Sequence, residues 1–302
     1  MTVAFILRNA IITEKLLDVS CMDRPFENYI GVFDSGIGGL TVLREIIARL
    51  PGESFVYFGD DGRSPYGNKS HDTIIRYSLQ DMMFLEEQDV KMIVIACNTA
   101  STHAYDVLKK YSKVPVVEVV YPGALAACEA TRNGRIGIIA TDATVSSGLY
   151  ETAVRQAGEN IPDLKIIQKA CPLFVSLAEE GWWNDDIAHL TAERYLAPVK
   201  EFGVDTLVLA CTHYPLLKDT ISDVMGKDVK LINSGISVAS VVEKKLAADN
   251  MLAEGGSPFT AFFTSDDPEK FEKVASPFLG RGLPRGTRKF TVDKYDVSEY
   301  LK

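Results

Sequence analysis

A short apolar, β-branched run that stops abruptly at small polar residues marks a strand buried on both faces. Such strands belong to parallel sheets covered by helices. This chain carries two closely matched runs, Val90-Lys91-Met92-Ile93-Val94-Ile95-Ala96-Cys97 and Val204-Asp205-Thr206-Leu207-Val208-Leu209-Ala210-Cys211. Each ends in a cysteine, followed by Asn98-Thr99 in one case and Thr212-His213 in the other. A thiol at the carboxyl end of a parallel strand lies on the rim where open α/β sheets hold their ligands. Each is expected to face the amino end of a following helix, whose field lowers a cysteine pKa.

The surrounding pattern repeats as well. Strands over 29–33, 54–58 and 114–118 alternate with helices over 41–50, 70–87 and 101–111, which describes βαβ units. The pattern restarts at Arg135-Ile136-Gly137-Ile138-Ile139-Ala140-Thr141, at an offset of roughly 110 residues, about one small domain. The expected fold is therefore two similar doubly wound α/β lobes with mostly parallel sheets, related by internal duplication, with a site in the cleft between them. The boundaries read as an extension over 1–28, a first lobe of 29–119 plus 234–302, and a second lobe of 120–233. In the second lobe a helix is expected over 185–200, and Trp182-Trp183 reads as packing or an interface. A helix runs to 248 after Gly235. After the break at Gly255-Gly256-Ser257-Pro258 a strand over 259–264 and a helix from Asp267-Pro268 to 275 return to the first lobe, ahead of an irregular end from 281. The extension holds a short helix near 14–17 and an inert Cys21.

Composition narrows the function. With 302 residues, 46% hydrophobic and 24% charged, the chain is globular, and its net charge of −9 argues against nucleic acid as a main partner. An anionic small molecule stays open, because a local site can oppose the overall charge. No apolar run reaches the ~18 residues of a membrane span, and Arg8 breaks the first apolar stretch too early for a secretory signal. A cytoplasmic location is expected. The five cysteines include no C-x-x-C pair, so reduced thiols are expected rather than a disulfide framework or a zinc knuckle.

Two thiols on opposite walls of a cleft suit one reaction type: removing a proton from one face of a carbon and returning one to the other face inverts that centre. Cysteine, with a reference pKa near ~8.5, serves either half at neutral pH. His213, two residues from Cys211, is placed to act on that sulfur, and Asp34 at the tip of the first strand on Cys97. Ser35, Asn98, Thr99 and Thr212 supply donors for carboxylates beside helix amino ends. Gly36-Ile37-Gly38-Gly39 is a poor dinucleotide fingerprint, since Thr41 replaces its third glycine; close backbone approach explains it better. Cys128 and Cys171 read as buried small hydrophobes, and His71, His103 and His189 as surface or capping residues.

Asp34-Ser35-Gly36-Ile37-Gly38-Gly39, Pro65-Tyr66-Gly67, Ala96-Cys97-Asn98-Thr99-Ala100-Ser101 and Ala210-Cys211-Thr212-His213-Tyr214-Pro215-Leu216-Leu217 together resemble the motif set of the glutamate racemases, the cofactor-independent branch of the aspartate/glutamate racemases. The resemblance covers roughly residues 29–279, in order. It implies interconversion of L- and D-glutamate for peptidoglycan synthesis without pyridoxal phosphate or metal. It implies Cys97 and Cys211 as the catalytic acid/bases, assisted by Asp34 and His213. It also implies substrate contacts from Asp34, Ser35, Tyr66, Gly67, Asn98, Thr99, Thr212 and His213, and a homodimer. Asp60-Asp61-Gly62-Arg63-Ser64 and Asn233 depart from the pattern. Competing expectations are another superfamily activity (aspartate or hydantoin racemase, maleate isomerase), a two-lobed binding protein without chemistry, and a redox or metal protein built on Cys97, Cys211 and His213, the last poor in ligands.

Overall fold

The computed structural model describes residues 28–255, 257–283 and 286–301; the expected helix at 14–17 and Cys21 lie outside them. The first buried runs form strands β1 (Ile30–Asp34), β2 (Phe55–Gly59), β3 (Met92–Ile95) and β4 (Val116–Glu118). The repeat supplies β5 (Arg135–Ala140), β6 (Lys165–Ala170), β7 (Thr206–Ala210) and β8 (Lys230–Asn233). Two strands close the chain, β9 (Thr260–Thr264) and β10 (Arg288–Lys289).

These make a six-stranded sheet in the order β10-β9-β2-β1-β3-β4 and a four-stranded sheet in the order β6-β5-β7-β8. Every pairing is parallel. The order β2-β1-β3-β4 reappears as β6-β5-β7-β8, so the duplication visible in the sequence is also a duplication of topology. β3 and β7 are topological equivalents. One cysteine follows each of them.

The intervening helices are α1 (Leu40–Arg49), α2 (His71–Glu87), α3 (Asn98–Tyr111), α4 (Val120–Ala130), α5 (Asp142–Ser147), α6 (Leu149–Ala157), α7 (Leu173–Glu179), α8 (Asp186–Glu201), α9 (Lys218–Met225), α10 (Ser234–Ala248) and α11 (Pro268–Leu279). Local chemistry sets their starts. Ser70 accepts from the Thr73 N–H, Asp185 from Ala188, and Asp267 from Glu269 and Lys270 with Pro268 in the first turn. α11 runs past the expected end at 275 and closes at Gly280, whose φ of +74° suits glycine. The irregular end holds β10 and two short 3₁₀ turns.

One continuous apolar cluster joins the sheets, from Ile30, Val32 and Leu40 to Leu207, Leu209 and Tyr214. Helix α10 packs on both α1 and α4, bridging the two halves. No helix among the described residues is long and apolar enough to cross a membrane.

Candidate active site

Both cysteines sit at the carboxyl ends of central strands, but the chain beyond each takes a different form. Cys97 is the cap of α3, and its Sγ accepts from the Ala100 N–H at 3.4 Å. After Cys211 the chain enters a 3₁₀ turn, Tyr214–Leu217, with Pro215 near its start, before α9 begins. The expectation of a helix amino end behind each thiol therefore holds for Cys97 alone. A shared, small cavity is lined by Cys97 and Cys211 together with Ser35, Tyr66, Gly67, Asn98, Thr99, Thr212 and His213. Nine of the ten expected site residues thus meet at one place. The tenth, Asp34, is wholly buried and accepts from the Gly36 N–H at 3.1 Å and the Thr212 Oγ1 at 3.4 Å.

Close approach of the two halves is what builds this cavity. Thr41 Oγ1 donates to the Thr212 carbonyl at 2.7 Å, tying the start of α1 to the loop after β7. A Cβ on Gly38 would lie 2.3 Å from Thr212 Oγ1 and 2.6 Å from the His213 ring, so only glycine lets these loops touch. Tyr57 Oη donates to the Gly36 carbonyl at 2.6 Å and pins the same loop from beneath. On the other wall Thr99 Oγ1 meets Thr141 Oγ1 at 2.9 Å and Thr144 Oγ1 at 3.1 Å.

The electrostatics of the two thiols are unlike. Burial, then the Asp34 carboxylate, pushes the Cys97 thiol up to about 12, against the Ala100 N–H and Ser35, whose Oγ is 3.6 Å away. The lowering expected from the helix end is outweighed by desolvation. Cys211 Sγ stands 3.9 Å from His213 Nδ1. Burial opposes a charge on His213, yet hydrogen bonds to Cys211 and Glu179 and their negative charge raise it to about 10. Asp34 is pushed up to about 6 by burial, against the pull of His213 and the Gly39 and Gly36 N–H groups. Asp34 thus acts on both sides: it raises Cys97, while its bonded partner Thr212 belongs to the Cys211 loop.

Glu179, at the end of α7, was not among the expected residues. Its Oε1 lies 3.0 Å from His213 Nε2, and although burial raises its pKa, His213 holds it below the usual carboxylate range. No local signal marks it, because α7 is only seven residues long and Glu179 is followed by a second glutamate. Tyr66 lines the cavity as well. Its hydroxyl is hydrogen-bonded with both the Asp60 and the Asp81 carboxyl groups. Arg63 completes this buried network, reaching Asp60 at 2.7 Å and Asp81 at 2.9 Å. The loop that departed from the family pattern is thus held by ion pairs, and Asn233 caps α10 by accepting from Gly235 at 2.9 Å.

The remaining thiols and imidazoles lie elsewhere. Cys171 is fully buried, whereas Cys128 is half-buried and donates to the Val154 carbonyl at 3.4 Å. His71 is exposed and its Nδ1 meets His103 Nδ1 at 2.9 Å, a pairing the sequence does not announce. His189, half-buried, contacts the Asp185 carbonyl. Trp183 Nε1 donates to the Ala178 carbonyl at 2.8 Å, while Trp182 stays exposed. Among the described residues no cluster of three or more His, Cys, Asp or Glu is arranged to hold a metal ion.

The model of the Asp/Glu/hydantoin racemase family matches residues 41–241. The glutamate racemase of Geobacter metallireducens is 48% identical over 257 residues, covering 84% of this chain and 93% of that protein. This chain belongs to the glutamate racemase branch of that family. Solved members share the architecture. Glutamate racemase from Francisella tularensis, in complex with D-glutamate, superposes with a TM-score of 0.82 at 36% identity, covering 89% of this chain and all (100%) of the other. Glutamate racemase from Thermus thermophilus, in complex with beta-chloro-D-alanine, gives 0.80 at 41% identity, covering 90% and 100%. Membership accounts for the expected two-sheet fold, and for a cofactor-independent isomerase as the class of enzyme.

Proposed function

We propose that the chain interconverts L- and D-glutamate by a two-base reaction, with Cys97 and Cys211 as the acid/base pair. The observation that carries this reading is that two cysteines following equivalent strands of a duplicated sheet line a single cavity. One sulfur, as thiolate, takes the α-proton; the other, as thiol, delivers its proton to the opposite face. The electron pair left on the α-carbon spreads into the α-carboxylate, so donors aimed at that group lower the barrier. Ser35, Asn98, Thr99 and Thr212 supply side-chain donors, and the amino end of α3 adds backbone N–H groups. Gly67 packs against Thr141, and Tyr66 lines the same cavity with its hydroxyl bonded to Asp81.

Asp34 and His213 assist the two sulfurs unequally. Burial and then the Asp34 carboxylate favour the protonated form of Cys97, and the His213 imidazolium, braced by Glu179, offers its charge to Cys211. In this reading residues 29–119 and 234–302 form one lobe and 120–233 the other. The product serves peptidoglycan synthesis in the cytoplasm, and the enzyme works as a homodimer.

The test is incubation with pure L- or D-glutamate in heavy water without added cofactor. Racemisation with α-deuterium in the product is expected, and Cys97→Ser and Cys211→Ser should each lower kcat by at least about 10³-fold. Full activity in either variant would defeat the two-thiol reading, and aspartate or hydantoin turnover in place of glutamate would reassign the substrate.

A further inference from the structure

Asn98 lines the cavity with an amide that has one end occupied and one end free. Its Oδ1 accepts from the Tyr150 hydroxyl at 2.8 Å, across the seam between α3 and α6. Its Nδ2 is buried and has no hydrogen-bond partner within the protein. A buried amide nitrogen without a partner is costly unless a ligand accepts from it. Tyr150 is itself wholly buried, close to Gly123 and to Ser234 at the first position of α10. Gly123 leaves the room for this phenol: a Cβ there would stand 3.2 Å from the Tyr150 oxygen.

We infer that Tyr150 is a positioning residue that fixes the orientation of the Asn98 amide, so that the cavity presents an N–H donor to a substrate carboxylate. A hydroxyl has one proton to give. Here the Tyr150 proton goes to Asn98 Oδ1, so the amide turns its Nδ2 toward the ligand. The bond from Tyr150 to Asn98 therefore has a direction, and it selects an acceptor at that end of the site. Losing the phenol proton frees the amide to turn over and offer its carbonyl oxygen, which repels a carboxylate. Two elements from different parts of the chain, α6 and α3, meet to set one side-chain orientation.

This inference rests on the proposed binding of glutamate, and the experiment separates the two. Tyr150→Phe keeps the ring and removes only the hydroxyl. Glutamate binding by calorimetry is expected to weaken about five- to tenfold, with KM rising in parallel and kcat changing less than about threefold. Asn98→Asp, which puts an acceptor oxygen where the amide nitrogen stands, should weaken binding at least about tenfold and keeps the test usable should Tyr150→Phe fold poorly. In an Asn98→Ala background Tyr150→Phe should add nothing, whereas a merely structural Tyr150 would add its full effect. Unchanged affinity in a folded Tyr150→Phe, or equal effects in both backgrounds, overturns the inference while leaving the racemase reading intact. Wild-type protein that binds glutamate without racemising it defeats that reading and not this one, and wild-type protein that binds no glutamate defeats both.

Discussion

Gly38→Ala provides the sharpest test of how the cavity is assembled. The added methyl would sit 2.3 Å from Thr212 Oγ1 and 2.6 Å from both Cε1 and Nδ1 of His213. Ordinary contacts lie near ~3.5 Å, so the loop after β1 and the loop after β7 must part by about 1 Å. His213 cannot retreat freely, being buried and held by Glu179 on its far side. Forcing a methyl into such a site costs about 1–3 kcal/mol. The larger effect should fall on turnover, because displacing a catalytic group by about 1 Å lowers rates on the order of 10²-fold. The assay is polarimetric racemisation of glutamate alongside urea unfolding, with Gly52→Ala as the control, since a methyl there meets nothing within 4 Å. Gly38→Ala with more than about a third of wild-type kcat would refute the claim that direct loop contact sets the His213 position.

The charges lead to further outcomes. Glu179→Gln removes one of the two groups that raise His213, so the alkaline limb of kcat should move down on the order of one pH unit; an unmoved profile would deny Glu179 its bracing role. His213 has a folded pKa of about 10 against 6.5 ordinarily. Its charged form therefore contributes stability fully below pH 6.5, and that contribution fades as the pH rises through 10. The stability gap between wild type and His213→Gln should accordingly be constant in acid and narrow across this window in urea titrations. Arg63→Ala strands Asp60 and Asp81 without their cation and should cost about 3–5 kcal/mol, while a loss under about 1 kcal/mol would show that the buried carboxylates need no partner.

How much of this was legible beforehand depends on the kind of information each feature carries. The strands ending at Cys97 and Cys211, the helix starts at Ser70 and Asp267, and the repeat at an offset of roughly 110 residues are patterns of burial and hydrogen bonding, which neighbouring residues encode directly. They sufficed for the two-sheet fold and for the residues that gather at the cavity. β6 escaped notice because it is only partly buried and carries Lys165, Gln168 and Lys169 in place of an apolar run.

Tertiary packing decided the rest. Glu179 reaches His213 across a sequence separation of 34, and Tyr150 reaches Asn98 across 52. No periodicity relates such pairs, and their contact depends on where whole helices settle. The bonding of the Tyr66 hydroxyl to Asp81, and the rise of Cys97 to about 12 despite its place at a helix start, were decided in the same way. A helix end acts through the next few residues, but desolvation sums over every group packed around the sulfur, and only the assembled fold determines that sum.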